Sequence, residues 1–274
     1  LEITTCCNLS CSFCPGTRRP AAFLSPEQFR VLAQKLRPYG QYLYLHVMGE
    51  PLLHPHLPQL LAICRELDFR ANLTTNGTLL PKKQAQLLAA PALRKVSISL
   101  HSFEANSAGD FSAYLSGCTD FAAAAKKAGI LSDFRLWNLD GAATRGLHEQ
   151  NDAILAHLHR FFPGAWQKNT WGWRLEDRIF LSYGERFDWP DESALDHGAA
   201  GRCRALSDQL AVLCDGTVVP CCLDHEGTLA LGNLFTQELS DILASPRACR
   251  MREGFACGER TEPLCRRCGY SERF

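Results

Sequence analysis

Three cysteines near the beginning of the chain have a spacing that could hold a chemically active iron–sulfur cluster. Cys7 and Cys11 are separated by three residues, and Cys11 and Cys14 by two. Three thiolates leave one iron of a [4Fe–4S] cluster without a protein ligand, whereas an electron-transfer cluster has four cysteine ligands. An iron with an open position can bind and activate another molecule. The spacing therefore predicts a catalytic cluster on Cys7, Cys11 and Cys14.

A second group of cysteines lies near the other end of the chain. Cys265 and Cys268 form a Cys-x2-Cys pair, and Cys203 and Cys221 lie upstream of it. Four thiolates in this arrangement are typical of sites for zinc or for an iron–sulfur cluster. The bare pattern gives the two metals equal weight. We predict a second metal site on these four residues.

The cysteines outside these two groups are Cys6, Cys64, Cys118, Cys214, Cys222, Cys249 and Cys257. Cys6 would lengthen the first spacing to four residues, so Cys7 is preferred as the ligand. Cys222 would break a Gly216-x4-Cys221 spacing on a predicted hairpin, so Cys221 is preferred. The two nearest the C-terminus could ligate another metal, but no complete ligand set accompanies them and we expect structural roles.

The run Gly49-Glu50-Pro51 follows a short apolar strand. A carboxylate at a strand end, beside a glycine that lets the backbone approach closely, could hold an ammonium group. A simple turn is the alternative interpretation of these three residues.

The periodicity of the chain alternates between strands and helices. Strands are predicted over 1–5, 42–46, 69–75, 95–100, 134–138 and 179–183, and helices over 25–36, 57–67, 82–90, 114–128 and 149–161. This order predicts βα units with a parallel sheet. About six units fit, and a full eight-unit barrel needs about 250 residues, so we predict an α/β fold with a partial (β/α)6 TIM-like barrel.

Three segments follow from this pattern: a barrel core over 1–165, a linker with aromatic loops over 166–200 that could supply the last barrel strand, and a small cysteine-rich α+β domain over 201–274. In the last segment, Asp215-Gly216 predicts a type I′ hairpin turn, and a helix is predicted over 237–244.

Polar residues end the later strands of the predicted barrel. Thr75 and Asn76 end the third strand, Ser97 and Ser99 share the interior face of the fourth, and Asn138 ends the fifth. Asn138 could reach a cofactor or substrate, although core or turn roles are at least as common at all these positions.

Histidines and tryptophans supply weaker candidates. His46 and His101 should point toward the barrel mouth and are candidate catalytic bases, although histidines at such positions are more often hydrogen-bonded loop residues. Tryptophans of the linker either pack between domains or form a wall of the substrate pocket: Trp166, Trp171, Trp173 and Trp189.

The cysteine loop, with Phe13 before its third cysteine and the Gly-Glu-Pro run one βα unit later, resembles the signature of the radical SAM family. The resemblance implies that the amino and carboxylate groups of S-adenosylmethionine (SAM) chelate the open iron. It also implies that Glu50 contacts the SAM amino group and Ser99 the ribose. The full set of implied cofactor-binding residues is Gly49, Glu50, Pro51, Thr75, Asn76, Ser99 and Asn138.

The C-terminal cysteines resemble those of Twitch or shortened SPASM domains, which hold auxiliary [4Fe–4S] clusters. A complete SPASM domain continues with two more cysteines, whereas Phe274 follows Cys268 by six residues that include none. We therefore expect one auxiliary cluster and not two. Four cysteine ligands leave no open iron, so electron transfer is its expected role.

The resemblance implies an enzyme. A low-potential donor such as flavodoxin or ferredoxin would reduce the first cluster, SAM would be cleaved to a 5′-deoxyadenosyl radical, and this radical would abstract hydrogen from a substrate C–H bond. The auxiliary cluster would take up an electron, which gives a net oxidation or cross-link on a peptide or protein. The alternatives are a dehydrogenase of a sugar or other small molecule and, in another class, a non-catalytic iron–sulfur or zinc module.

Composition limits the remaining possibilities. The chain has 274 residues, 14 cysteines and a formal net charge of zero. Zero net charge disfavours a nucleic-acid partner. Cysteines grouped at metal-ligand spacings favour a reducing, cytoplasmic location, and no apolar run is long enough to predict a membrane span. Because the chain begins with Leu1, we expect residues to precede it; no leader-peptide-binding domain is evident, which slightly disfavours a ribosomal-peptide substrate.

Overall fold

Strands and helices alternate along the first two thirds of the chain in the computed structural model, which describes residues 1–106, 109–139 and 149–273. The strands are β1 Tyr42–Tyr44, β2 Arg70–Thr75, β3 Leu93–Ser99, β4 Leu131–Leu139, β5 Gln167–Asn169, β6 Gly172–Glu176 and β7 Ile179–Glu185. The helices are α1 Pro26–Leu36, α2 Leu57–Glu66, α3 Leu80–Leu88, α4 Phe111–Lys127 and α5 Glu149–Phe161.

These strands form one sheet in the order β1-β2-β3-β4-β7-β6-β5. The neighbours from β1 through β4 to β7 are parallel, and β6 and β5 are antiparallel. Buried residues such as Val96, Phe134 and Leu181 form the core between sheet and helices. The predicted α/β fold with a partial TIM-like barrel is confirmed. Because the parallel strands end at the same edge, the loops that follow them meet there.

The predicted strand over residues 1–5 is not a regular strand. Leu1 N donates a hydrogen bond to the carbonyl of Tyr44, whereas Glu2 N donates to that of Val212. Thr4 forms only an isolated antiparallel bridge with Phe23. The segment therefore lies beside β1 but divides its hydrogen bonds among separate parts of the chain, which prevents a continuous ladder.

The segment predicted as a linker contains three strands. β7 supplies the last parallel strand, and the hairpin of β5 and β6, which the sequence pattern did not indicate, extends the sheet edge. Trp166 and Trp173 pack against the main hydrophobic core.

The C-terminal part has a three-stranded antiparallel sheet and three helices. The elements are β8 Ala211–Val212, β9 Thr217–Val219, β10 Gly232–Asn233, α6 Leu239–Leu243, α7 Pro246–Cys257 and α8 Pro263–Arg266. The predicted hairpin joins β8 and β9, but Gly216 has a positive φ of 82° and Asp215 does not. A type I′ turn needs two such residues, so the predicted turn type is wrong.

Helix α7 was missed by the sequence reasoning although its ends carry signals. Ser245 caps it by accepting a hydrogen bond from Ala248 N, Pro246 occupies its first turn, and Gly258 ends it in the left-handed conformation. Among the described residues, no helix has the length and apolar character needed to span a lipid bilayer.

Candidate active site

The three cysteines of the N-terminal loop face a common space at the edge where the parallel strands end. Cys7 and Cys14 are exposed and Cys11 is half-buried, with Cys14 N donating to the Cys11 carbonyl at 3.1 Å. Burial, and then the nearby Cys14 and Cys7 thiols, raise the pKa of Cys11 to about 12. Burial also raises the pKa of Cys7. Metal ions bind the thiolate, so this loop would release protons on loading.

Asparagines attach the cysteine loop to the end of β2. Asn76 Nδ2 donates to Asn8 Oδ1 at 2.9 Å, and Asn8 Nδ2 donates to Thr78 Oγ1 at 2.9 Å. Thr78 in turn donates to Asn76 Oδ1. The side chain of Asn76, which lines the cavity described below, therefore already has partners that hold the loop.

The rest of the loop is held by the segments after β3 and β7. Ser12 donates to Glu104 at 2.6 Å, and the Phe13 ring lies 4.7 Å from that of His101. Trp189 Nε1 donates to the Phe13 carbonyl at 3.0 Å. The aromatic residue before the third cysteine is thus fixed from two sides.

Gly49 lies directly against the backbone that leads into the cysteine loop. Its φ is +75°, and a Cβ there would be 2.5 Å from the carbonyl oxygen of Thr4 and 2.8 Å from that of Cys6. Glu50 N donates to the same Cys6 carbonyl at 2.8 Å. Glycine is required here because both the backbone conformation and the space exclude a side chain.

We expect Gly49→Ala to destabilise the fold by roughly 2–4 kcal/mol, because left-handed strain and a backbone clash act together. Urea unfolding of the purified protein measures the loss. Gly129→Ala is the matched control: Gly129 has a φ of +80° but no atom within 4 Å of its added Cβ, so about 1 kcal/mol is expected. Equal losses at both positions would contradict the proposed close approach.

Glu50 is a buried carboxylate, only 2% exposed. Its Oε1 accepts hydrogen bonds from Leu52 N at 2.9 Å and from Thr75 Oγ1 at 2.8 Å, and its Oε2 accepts from Asn76 N at 2.7 Å. Burial raises its pKa to about 7 in spite of these bonds. A cation placed beside it would favour the ionised form. Pro51 begins a short 3-10 helix and is not part of the cavity wall.

Ser99 and Asn138 differ in their surroundings. Ser99 lines the cavity. Asn138 is buried, and its amide forms two reciprocal hydrogen bonds with Asn151 on α5, at 3.1 and 3.0 Å. The structure therefore does not bring Asn138 to the cofactor side, because the helix packed behind β4 supplies its partner.

His46 and His101 both line the cavity. Burial lowers the pKa of His46 to about 3, with Arg135 adding to the effect, and lowers that of His101 to about 4. His101 Nδ1 lies 3.0 Å from the Arg135 carbonyl, to which it donates as a neutral ring. Both rings are neutral near pH 7 and are weak proton acceptors.

The four C-terminal cysteines converge on one another. Burial raises the pKa of Cys265, and the nearby Cys203 and Cys268 add to the effect. The pKa of Cys221 is raised by burial and then by Cys222, Cys265 and Cys268. Across the described ranges, no three Cys, His, Asp or Glu side chains are placed to hold a single metal ion, whereas the cysteines of a cubane cluster bind separate irons.

The neighbouring cysteines have other surroundings. Cys222 packs with Val47 against an apolar cluster of Ala211, Leu213 and Val219. Cys249 Sγ lies within 3.8 Å of two carbonyl oxygens that precede α7, and Cys257 is exposed.

Glu2 lies between the N-terminal segment, the segment before Gly49 and the C-terminal sheet. The sequence analysis did not identify it. It is fully buried, pairs with Arg19 at 2.6 Å, and accepts hydrogen bonds from Met48 N and Cys214 N. A charged residue inside the apolar run Leu1–Ile3 was the available signal, because a carboxylate is buried only when it is paired.

Both cysteine groups open into one cavity of about 1880 Å³. Its wall also includes the predicted residues Gly49, Glu50, Thr75, Asn76, Ser99, His46 and His101, and the tryptophans Trp171 and Trp189. The barrel, the aromatic segment after β7 and the C-terminal sheet therefore line one common cavity, which is partly open to solvent.

Comparison with known proteins agrees with this geometry. Residues 1–131 match the radical SAM superfamily, and residues 203–269 match SPASM, an iron–sulfur cluster-binding domain. The chain therefore carries a radical SAM domain over residues 1–131 and a SPASM domain over residues 203–269. These domains imply SAM, the [4Fe–4S] cluster that binds it and an auxiliary iron–sulfur cluster, and the thiols of the two cysteine groups fit such clusters chemically.

Individual relatives cover different parts of the chain. Fe-coproporphyrin III synthase of Methanosarcina barkeri is 35% identical over 36% of this chain and 26% of its own length. PqqA peptide cyclase of Xanthomonas euvesicatoria is 31% identical over 47% and 37%. The chain thus spans about a quarter to two fifths of these two proteins.

Other similarities extend over nearly the whole chain. An S-adenosyl-L-methionine-dependent 2-deoxy-scyllo-inosamine dehydrogenase of Niallia circulans is 23% identical over 98% of the chain and 90% of its own length. The crystal structure of BtrN in complex with AdoMet and 2-DOIA superposes with a TM-score of 0.60 at 19% identity, covering 97% of this chain and 90% of that one. This likeness supports the fold.

Proposed function

We propose that this protein is a radical SAM enzyme that abstracts hydrogen from a C–H bond and carries out a net oxidation of its substrate. The observation that carries the proposal is the common cavity, which receives both cysteine groups. When bound at Cys7, Cys11 and Cys14, the cluster and SAM supply a 5′-deoxyadenosyl radical. Cys203, Cys221, Cys265 and Cys268 would hold the cluster that accepts one electron from the substrate radical.

The residues of the protein itself position the cysteine loop and line the cavity around the reacting groups. Asn8, Ser12 and Phe13 fix the cysteine loop through bonds to three different segments. Cys7 and Cys14 are exposed, so bound SAM and substrate would have to complete the exclusion of water, which would quench reactive species. Neutral His46 and His101 add no charge to the cavity, and we retain them as candidates for accepting a proton late in the reaction.

For the substrate, we propose a peptide or protein, since one relative is a peptide cyclase. The second candidate is a sugar or another small molecule, favoured by the full-length similarity to an inosamine dehydrogenase. We further propose a flavodoxin or ferredoxin as electron donor and a cytoplasmic location. A non-catalytic module would lack any SAM-cleaving activity.

The experiment that tests the function is an anaerobic assay of the reconstituted protein with SAM and dithionite. Formation of 5′-deoxyadenosine above a protein-free control is the expected result. Its absence in a protein that contains iron and sulfide would overturn the enzyme assignment and leave the non-catalytic alternative.

We also propose that Gly49, Glu50, Thr75, Asn76 and Ser99 form the SAM-binding wall, with Glu50 paired to the SAM ammonium. Glu50→Gln is then expected to weaken SAM binding by roughly 10-fold or more, because a charge-assisted hydrogen bond contributes about 1.5–3 kcal/mol. Equilibrium dialysis with SAM on the reconstituted protein measures this change.

Glu66→Gln provides the control for removing a carboxylate, since Glu66 is exposed and pairs with Arg30 on the outer surface. Its SAM affinity should equal that of the wild type. If Glu50→Gln binds SAM normally while its unfolding midpoint falls, Glu50 serves only to tie the loop to the end of β2.

A further inference from the structure

The interior of the barrel contains a charged network beneath the strand ends. Lys95 Nζ lies 2.7 Å from Asp133 Oδ2, and Ser182 Oγ donates to Asp133 Oδ1 at 2.6 Å. The three residues come from β3, β4 and β7, and all line the cavity. The interior of a barrel is ordinarily filled with branched apolar side chains. Charged side chains are buried there when they are paired or have a functional role.

Arg135 stands next to this network and lacks a hydrogen-bonded carboxylate. It lies two residues after Asp133, on the same face of β4, and pairs across the strands with Ser99 and Ser182. Its Nε forms an ion pair with Asp133 Oδ2 at 3.8 Å, beyond hydrogen-bond distance, and has no hydrogen-bond partner among the described residues. Both oxygens of Asp133 are already engaged by Lys95 and Ser182.

The guanidinium is nevertheless placed to receive a ligand. It packs 4.7 Å from the centre of the Trp137 ring, which fixes its plane, and its side chain is 18% exposed on the cavity side. A rigid planar fork of this kind matches carboxylate and phosphate groups through two parallel hydrogen bonds.

The charge balance of the region also favours an anion. Lys95 and Arg135 are opposed by the single carboxylate of Asp133, which leaves one positive charge in excess. His46 remains neutral, because burial and the charge of Arg135 lower its pKa to about 3. Tyr44, Tyr270 and Cys222 also interact electrostatically with Arg135, and none of them is a carboxylate.

We propose that Arg135 is a subsite for an oxyanion of the substrate, a carboxylate or a phosphate, with Trp137 orienting the guanidinium and the Lys95–Asp133 pair supporting the site from below. That the bound molecule is a substrate rests on the proposed function. The carboxylate of SAM is a separate group, since the family resemblance places it on the open iron.

The test uses the reconstituted protein in the presence of SAM and three probes: glutarate, inorganic phosphate and uncharged myo-inositol. Calorimetric titration should show that at least one anion binds more tightly than myo-inositol. Tighter glutarate binding would assign the subsite to a carboxylate, and tighter phosphate binding to a phosphate ester.

Arg135→Gln should weaken binding of the preferred anion by roughly 10-fold or more, and Arg135→Lys, which retains the charge without the fork, should weaken it less. Arg30→Gln is the matched control, because it removes a cation from the outer surface of α1 and should leave anion binding unchanged. SAM affinity should be the same in all variants.

Three results would overturn the proposal: no anion binding to the wild type, undiminished binding in a folded Arg135→Gln variant, or a parallel loss of SAM affinity, which would assign Arg135 to the SAM site. The 5′-deoxyadenosine assay separates this inference from the proposed function. SAM cleavage without anion binding refutes only the subsite, whereas anion binding without SAM cleavage refutes only the enzyme assignment.

Discussion

Replacing Cys7, Cys11 and Cys14 together by alanine is expected to abolish reductive cleavage of SAM. The three thiols are the protein ligands of the proposed catalytic cluster, and without them SAM has no open iron to bind. After anaerobic reconstitution, iron should fall from about eight to about four atoms per chain, because the C-terminal cluster would remain. Iron and sulfide analysis and 5′-deoxyadenosine formation measure the two effects.

Cys6→Ala is the matched control for this variant. Cys6 adjoins the first ligand, but its Sγ lies only near the Ala22 carbonyl, at 4.0 Å. Iron content and SAM cleavage should therefore remain at wild-type levels. Continued 5′-deoxyadenosine formation by the triple variant, or loss of iron from Cys6→Ala, would show that the ligands were assigned wrongly.

Replacing Cys265 and Cys268 by alanine should remove the second cluster while the first continues to cleave SAM. Removing two of the four cysteines leaves two irons of the cluster without a protein ligand. The cluster is then expected to be unstable, and about four irons per chain should be lost. SAM cleavage should persist, because the N-terminal loop is held by Asn8 and Trp189 and not by the C-terminal cysteines. Metal analysis and the 5′-deoxyadenosine assay are again sufficient.

Cys257→Ala controls for the general loss of a thiol from this domain. Cys257 is exposed at the end of α7, so its replacement should leave the metal content unchanged. A wild-type protein with about four irons and about one zinc would instead make the C-terminal site structural and remove its role as electron acceptor. Full retention of iron in the double variant would contradict the four-cysteine assignment.

Local patterns in the sequence were sufficient for most of the fold. The alternation of short strand patterns with helical patterns predicted the parallel strands from β1 to β4, and the helix predicted over 25–36 begins at a capping box on Ser25. These features depend on neighbours within a few residues. The segments that were misjudged, residues 1–5 and the hairpin of β5 and β6, take their partners from distant parts of the chain.

In the candidate site, too, local sequence patterns predicted some features and tertiary contacts decided the others. The spacing of the cysteines by itself predicted both metal-binding groups, because ligand type and separation are local properties. Only the tertiary structure decided that both cysteine groups share one cavity and that the Asn138 amide is hydrogen-bonded to Asn151. It also decided that Asn76 holds the cysteine loop. Likewise, Arg135 is an ordinary strand residue in sequence. Its guanidinium makes no hydrogen bond to Asp133, because Lys95 of β3 and Ser182 of β7 already engage both oxygens of that carboxylate.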